Sequence, residues 1–189
     1  MLKVKKIWMY LLFGIISIPA NSQDYSISLL PFNTDQYSEY APVYYRGDIV
    51  FCSDRKNTMF IDYRDERRNL PATDIFVVED VGRNEWGKPE LLSKKFRSNF
   101  YEGPAAFNSR GSEIYFTRNT NVKKKIGNAI DKDNKLGIYI SKYSRREDGW
   151  STQTQFKYNN PDYNYAHPSL CVDERCLYFV SEMAGGYGG

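Results

Sequence analysis

The apolar residues that follow position 38 alternate with polar ones or form short runs of Val, Ile, Phe and Tyr. Gly, Asp, Asn and Pro bound these runs, as they bound β-strands joined by turns. Beyond residue 22 no stretch keeps the 3.6-residue apolar period of an amphipathic helix, so we expect few helices. The pattern predicts an all-β fold.

The strand pattern recurs at a nearly constant spacing. Pro42, Pro104 and Pro168 are 62 and 64 residues apart, and each precedes a turn and an aromatic-rich strand. Trp86 and Trp150 repeat at the same spacing of 64 residues. Landmarks that agree on one period indicate tandem structural repeats.

Each repeat contains about four predicted strands. In the second repeat we place them at residues 105–107, 113–118 and 137–142, with the fourth beginning at Trp150. A four-stranded antiparallel unit cannot bury both of its faces alone, and tandem units of this kind are typical of β-propeller blades.

The period exceeds the roughly 40–45 residues of an ordinary propeller blade because of two polar insertions. They occupy residues 55–73 and 119–136, between the second and third strands of their repeats. Without them both repeats fall close to the usual blade length. Because the insertions occupy the same topological position, we expect them to emerge on one face.

These motifs resemble a known family, the TolB-like, WD-type propeller repeats of secreted envelope proteins, especially Bacteroidetes proteins that end in an OmpA-like domain. The matching pieces are residues 40–42, 103–104, 167–170 and 185–189, and the resemblance covers residues 26–189. The turns at 108–111 and 171–174 depart from the Ser-Pro-Asp-Gly usual in such repeats. The resemblance implies an architectural motif that carries no catalytic residues.

The repeats predict a partial β-propeller of about two and a half four-stranded antiparallel blades, the N-terminal fragment of a longer protein. We expect blade one at residues 39–95, blade two at 102–158 and an incomplete third blade at 165–189. A propeller typically closes with four to eight blades. Residues 26–31 resemble a fourth strand and predict an N-terminal closing strand.

The first 22 residues have the features of a secretory signal peptide. Three lysines precede an apolar run at 7–18, and Ala20 and Ser22 supply the small residues of a cleavage site before Gln23. An uncleaved anchor is the alternative, but the run is shorter than a membrane span requires. We expect export across the inner membrane, a periplasmic or outer-membrane-associated location, and no transmembrane span in the mature chain.

Charge and candidate chemistry narrow the function. Three of the 26 basic residues lie in the signal segment, so the rest of the chain balances its 23 acidic residues, unlike a typical nucleic-acid binder. The single histidine, His167, precedes the repeated proline and favours a structural role. Phosphate-binding loops, nucleophile elbows and zinc-protease motifs are absent from the sequence. We predict no catalytic, cofactor-binding or metal-binding residues.

The three cysteines are too few for a disulfide scaffold. Cys171 and Cys176 flank a predicted tight turn and could face each other across a hairpin, either as a disulfide or as small strand residues. Their Cys-x4-Cys spacing is weak support for zinc, since no second pair exists. Cys52 has no nearby partner in the sequence.

These features predict a non-enzymatic scaffold or binding module. The alternatives are the propeller of a secreted glycan-active enzyme or of a prolyl-oligopeptidase-type peptidase whose catalytic part lies elsewhere. We expect the partner to be an envelope protein or a peptidoglycan-associated assembly, with peptidoglycan contact only if an OmpA-like domain follows.

A partner is expected to bind at the face where the insertions meet the links at 96–102 and 157–165, because binding concentrates in loops on rigid scaffolds. The candidate residues on that face are Tyr63, Arg64, Arg67, Arg68, Phe100, Tyr101, Lys123, Lys124, Lys125, Tyr163 and Tyr165.

The signal peptide yields a first prediction. Mass spectrometry of the protein isolated from the cell envelope should find Gln23 as its N-terminal residue, because signal peptidase cleaves after small residues. Recovery of peptides from residues 1–22 in the envelope-localised protein would instead show an uncleaved segment.

Overall fold

The computed structural model describes residues 25–55, 72–83, 85–98, 100–120, 134–146 and 149–186. The chain divides into two compact units, one up to Leu30 and the other from Pro31 onward. Residues 25–38 contain no strand, so the predicted closing strand at 26–31 is not formed. The resemblance of this segment to a fourth strand predicted it, but an extended segment becomes a strand only where a ladder of hydrogen bonds forms.

All regular structure in the described residues is β-strand, which confirms the all-β prediction. That part of the chain holds no helix with the length and apolar character of a membrane span. The strands are β1 (Glu39–Tyr45), β2 (Asp48–Ser53), β3 (Asp74–Val78), β4 (Asp80–Gly82), β5 (Glu85–Trp86), β6 (Glu90–Leu91), β7 (Glu102–Phe107), β8 (Glu113–Asn119), β9 (Leu136–Ser144), β10 (Gly149–Trp150), β11 (Thr154–Gln155), β12 (Tyr165–Leu170) and β13 (Leu177–Ser181).

The strands form several small antiparallel sheets. The first sheet has the order β1-β2-β3-β6, and β4 pairs with β5 in a separate short ribbon. The second sheet contains β7, β8 and β9, with β10 and β11 both pairing with β9. The third sheet consists of β12 and β13. The fourth strands are short. Trp150, which marked the predicted start of one, lies in the two-residue β10, and its counterpart Trp86 lies in β5 of the β4–β5 ribbon.

The first strand of each sheet is interrupted at its repeated proline. The pairing of β1, β7 and β12 with the next strand shifts register there, as at a β-bulge. The residue before each proline has a positive φ: 52° at Ala41, 92° at Gly103 and 54° at His167. Proline has no N–H to donate, so a regular ladder cannot continue through it. The repeated proline therefore marks a repeated bulge.

The bulges bring each sheet onto the one before it. Gly103 in β7 lies directly against the Cys52 side chain in β2. The backbone N–H of His167 in β12 donates a hydrogen bond of 3.0 Å to the Thr117 hydroxyl in β8. Cys52 and Thr117 occupy equivalent positions in their second strands. The same joint therefore connects the first sheet to the second and the second to the third.

A hydrophobic core completes the packing of the first two sheets. Phe96, from the link between them, packs 4.9 Å from Phe116 and 5.6 Å from Trp150, measured between ring centroids. Tyr45 of the first sheet lies 4.5 Å from Phe107 of the second. The buried members of this core are Tyr45, Val50, Ile75, Phe96, Ile114, Phe116, Tyr139 and Trp150.

The joint at Gly103 yields a second prediction. In Gly103→Ala the new Cβ would overlap the Cys52 Sγ and sit at positive φ, so we expect a loss of about 2–5 kcal/mol in the free energy of unfolding. Gly47→Ala is the matched control, because Gly47 also has a positive φ but has no atom within 4 Å of the Cβ position.

Urea denaturation measures both variants. Gly47→Ala should lose only the backbone term, about 1–2 kcal/mol. Equal losses in the two variants would mean that the contact with Cys52 does not hold the sheets together.

Candidate functional site

The strand ends place both insertions at one edge of the sheets. Ser53 pairs with Asp74 where the first insertion leaves and returns, and Asn119 pairs with Leu136 where the second does so. The second insertion is thus shorter than predicted, since Asn119 and Leu136 belong to strands. We call this edge the loop edge, and it comprises residues 53–55, 72–74, 96–98, 100–102, 119–120, 134–136, 157–165 and 182.

The link from the first sheet to the second is tied to the base of the first insertion. The backbone N–H of Glu102 donates a hydrogen bond of 2.8 Å to the carbonyl of Thr73. Arg97 forms an ion pair with Asp74, with 3.4 Å between Nε and Oδ2. This link therefore cannot move without disturbing the end of the first insertion.

The same link reaches the base of the second insertion through Asn119. The Asn119 Oδ1 accepts a hydrogen bond of 3.1 Å from the backbone N–H of Tyr101, and its Nδ2 donates one of 3.2 Å to the carbonyl of Asn134. Asn119 is buried. An amide side chain suits this position because it can accept and donate at once.

The link from the second sheet to the third is held by two further asparagines. The Asn159 side chain both accepts from the Ile138 N–H (3.1 Å) and donates to the Ile138 carbonyl (2.8 Å), as a neighbouring strand would. The Asn164 Oδ1 accepts from the Leu136 N–H (2.8 Å). The described ends of both insertions and both links therefore form one continuous hydrogen-bonded edge.

A small charged cluster extends this edge to the end of β13. Glu182 Oε1 accepts hydrogen bonds from Lys135 Nζ at 2.9 Å and from Asn164 Nδ2 at 2.8 Å. These donors, the lysine first, hold the pKa of Glu182 below its usual range. The carboxylate links the second insertion to the segment that follows β13.

The structure separates the predicted aromatic site residues into two groups. Phe100 and Tyr165 are only 2% and 1% exposed, so their rings belong to the interior and are not available to a partner. The Tyr165 ring packs 5.8 Å from Phe179. Tyr101 and Tyr163 are half-buried on the loop edge and keep part of their surface accessible. We therefore retain only Tyr101 and Tyr163 as candidate contacts.

The remaining candidate residues lie outside the described part of the chain. All of them belong to the two insertions, whose ends alone are described. They are Tyr63, Arg64, Arg67, Arg68, Lys123, Lys124 and Lys125.

Sequence reasoning missed a buried carboxyl at the loop edge. Glu102 is fully buried, and burial raises its pKa well above the ordinary value of 4.5. The Ser98 hydroxyl donates to its Oε1, whereas Oε2 has no hydrogen-bond partner among the described residues. Nearby Asp74 raises the pKa further, while Arg118 opposes the shift. The other repeats carry Tyr40 and Ala166 at this position. These less polar residues are the one sequence signal that the position of Glu102 lies in an apolar environment.

Two other groups at this joint are also held in their neutral forms: the buried Cys52 thiol and the hydroxyl of Tyr40, whose residue is 38% exposed. Burial raises the pKa of the Cys52 thiol and of the Tyr40 hydroxyl to about 12. The Tyr40 hydroxyl shares a hydrogen bond of 3.1 Å with the Thr73 Oγ1. These groups favour a packing role, since a nucleophile or general base needs a pKa nearer to neutral.

The described residues bring together no cluster of three or more His, Cys, Asp or Glu side chains that could hold a metal ion. His167 is exposed, and its backbone rather than its ring makes the contact with Thr117. The polar side chains described at the loop edge instead form hydrogen bonds with the backbone.

Comparison with protein-family models, with characterised proteins and with solved structures finds no match to this chain. The resemblance to TolB-like, WD-type repeats therefore depends on the sequence motifs given above.

Glu102 yields a third prediction. Its pKa is higher in the folded chain than in the unfolded one, so the folded state binds its proton more tightly. The stability from this proton is fully present below pH 4.5 and is lost as pH rises through the folded pKa. In Glu102→Gln the free energy of unfolding should therefore fall less steeply with rising pH than in the wild type.

Urea denaturation across a pH series measures that slope. Glu182→Gln is the matched control, because the pKa of Glu182 is held below its usual range, so its carboxyl is charged in both the folded and the unfolded chain above about pH 6 and its removal should leave the slope there unchanged. An unchanged slope in Glu102→Gln would contradict the buried, protonated carboxyl.

Proposed function

We propose that this protein is a non-enzymatic β-propeller scaffold or binding module of the bacterial periplasm or outer membrane. The observation that carries the proposal is the loop edge. Two insertions and two links converge there, and buried asparagine, threonine and glutamate residues fix their ends to the sheets. Loops held on a rigid scaffold are the usual location of binding surfaces.

The repeated joint supports the propeller part of the proposal. Two sheets of four or more strands and a third of two strands follow one another, and both joints use the residue before the repeated proline. A propeller is built by repeating one blade and one contact between neighbours. The TolB-like, WD-type resemblance points to the same architecture.

The composition of the two insertions indicates the kind of partner. The first insertion carries arginines at 64, 67 and 68 beside Tyr63, and the second carries three consecutive lysines. Tyrosine and arginine are enriched among residues that dominate interface energies, and clustered cations favour an acidic surface. We propose an acidic envelope protein or peptidoglycan-associated assembly as the partner, with direct peptidoglycan contact only if an OmpA-like domain follows in the full protein.

Binding rather than catalysis fits the ionisable groups at this edge. Glu102 and Cys52 are buried at the joint between sheets, and Asp74 is paired with Arg97. Each is engaged in contacts that hold segments together. We therefore propose that the protein is not an enzyme.

Deleting the insertions tests the proposal and is our fourth prediction. Residues 56–71 and 121–133 are replaced, singly and together, by short Gly-Ser linkers that keep Arg55, Thr73, Asn119 and Asn134 in place. We expect each deletion to reduce capture of cross-linked envelope partners several-fold and the double deletion to abolish it, since the anchors lie in the insertions. Unchanged melting temperatures establish that the sheets remain folded.

Arg110→Ser is the matched control, because Arg110 is an exposed cation at the opposite end of β8 from the loop edge. It should leave capture unchanged. Full capture by the folded double deletion, or equal losses in the Arg110 variant, would place the interface elsewhere. Capture by purified peptidoglycan sacculi, assayed in parallel, separates a cell-wall contact from a protein partner.

A further inference from the structure

The hairpin of β12 and β13 places two cysteines opposite each other. Leu170 pairs with Leu177, and the next pair along the ladder is Cys171 with Cys176, whose backbone N–H and carbonyl are joined by a hydrogen bond of 3.0 Å. Opposed residues in an antiparallel pair have Cα atoms about 4.5–5.5 Å apart. A disulfide needs a Cα separation of about 4.4–6.8 Å, so this backbone can accept one without rearrangement.

The Cys171 thiol lies against Cys176. The Cys171 Sγ accepts a hydrogen bond of 2.7 Å from the backbone N–H of Cys176 and donates its own proton to Asp173 Oδ1 at 2.8 Å. The side chains of the two cysteines also interact directly. Cys176 is exposed and Cys171 half-buried, whereas Cys52 is 1% exposed. An external oxidant can therefore reach this pair and not the third cysteine.

The turn between the cysteines forms a contact with the second sheet. Glu174 Oε1 accepts a hydrogen bond of 2.6 Å from the backbone N–H of Ser109, in the turn that joins β7 to β8. The two turns line an open polar cleft, formed by Asn108, Ser109, Arg110, Asp173 and Glu174 among others. This contact lies at the opposite end of the sheets from the loop edge. The cysteine pair thus lies at the base of a turn that contacts the neighbouring sheet.

We propose that Cys171 and Cys176 are a redox-active pair whose oxidation to an intramolecular disulfide fixes the 172–175 turn against Ser109. In the reaction the thiolate of one cysteine attacks a disulfide of the oxidant, a thiol–disulfide exchange protein or glutathione disulfide. The resulting mixed disulfide is attacked by the second cysteine. An S–S bond forms between Cys171 and Cys176 as the S–S bond of the oxidant breaks, and the two electrons and two protons that the cysteines lose leave with the oxidant, which departs as two thiols.

Oxidation changes the local contacts in a defined way. The hydrogen bond that the Cys171 S–H donates to Asp173 in the reduced chain is lost. Asp173 still accepts a hydrogen bond of 3.1 Å from the backbone N–H of Arg175. The turn therefore keeps its backbone hydrogen bonds and gains a covalent closure at its base. With fewer conformations open to the turn, Glu174 remains in place beside Ser109 for a larger fraction of time.

Asp173 sets how readily the pair reacts. Its carboxylate accepts the Cys171 proton and raises the pKa of that thiol, which lowers the fraction of reactive thiolate. Asp173→Asn keeps an oxygen acceptor for Arg175 but removes the charge. This variant should therefore oxidise several-fold faster than the wild type at mildly alkaline pH.

The test uses the full chain, reduced, freed of reductant and incubated in glutathione buffers of increasing oxidising strength, after which the remaining free thiols are blocked by N-ethylmaleimide. Intact mass and peptide mapping should show a Cys171–Cys176 link, with a mass about 2 Da below that of the dithiol. The number of thiols alkylated after denaturation should fall from three to one. Cys171→Ser and Cys176→Ser should each lose this change and remain monomeric and folded.

Hydrogen exchange at the Ser109 amide tests the structural consequence. Exchange should be several-fold slower in the oxidised chain than in the reduced chain, and Cys176→Ser should match the reduced rate under both conditions. Failure to form the link even in excess glutathione disulfide, or formation of only intermolecular disulfides, overturns the redox pair. Equal exchange rates at Ser109 in the two states overturn its coupling to the neighbouring sheet.

Discussion

The packing of the sheets in this protein depends on the backbone N–H that each repeated proline lacks. Proline cannot continue a β-ladder, so the first strand of each sheet bulges at the repeated proline, and the preceding residue takes a positive φ. The bulge turns the backbone toward the second strand of the preceding sheet. Gly103 meets Cys52 there without a side chain, and His167 reaches Thr117 through its N–H. The positions of the loop edge and of both links follow from this joint.

Much of this fold could be predicted because strands leave a local signature. Alternation and β-branched runs predicted β2, β3, β8 and β9, and the spacing of the prolines predicted the recurrence of the first strands. Residues 26–31 carried the same alternation without forming a strand. Alternation indicates which side chains can lie on one face of a strand. A strand also needs a neighbouring strand to pair with, and the position of that neighbour depends on tertiary structure.

The candidate site was harder to predict for a different reason. The links have no periodicity, so nothing local separates Phe100, which is buried, from Tyr101, which is half-buried, although the two residues are adjacent. The burial of Glu102 depends on Ser98 and on the base of a distant insertion, which only the folded chain brings together. The roles of Asn119, Asn159 and Asn164 were equally hard to predict, since a polar loop residue is usually solvated. Their role becomes visible only when their amides replace missing strand neighbours.

The repeated joint also determines how the molecule comes apart. Each described sheet packs against its sequence neighbours through the bulge and the side chains around it, so cohesion is a sum of pairwise terms between adjacent sheets, as in linear repeat arrays. Loss of one joint then removes support from a single boundary and leaves the next one intact. Unfolding should begin at a boundary and advance sheet by sheet, with the chain passing through states in which some sheets are native and their neighbours are not.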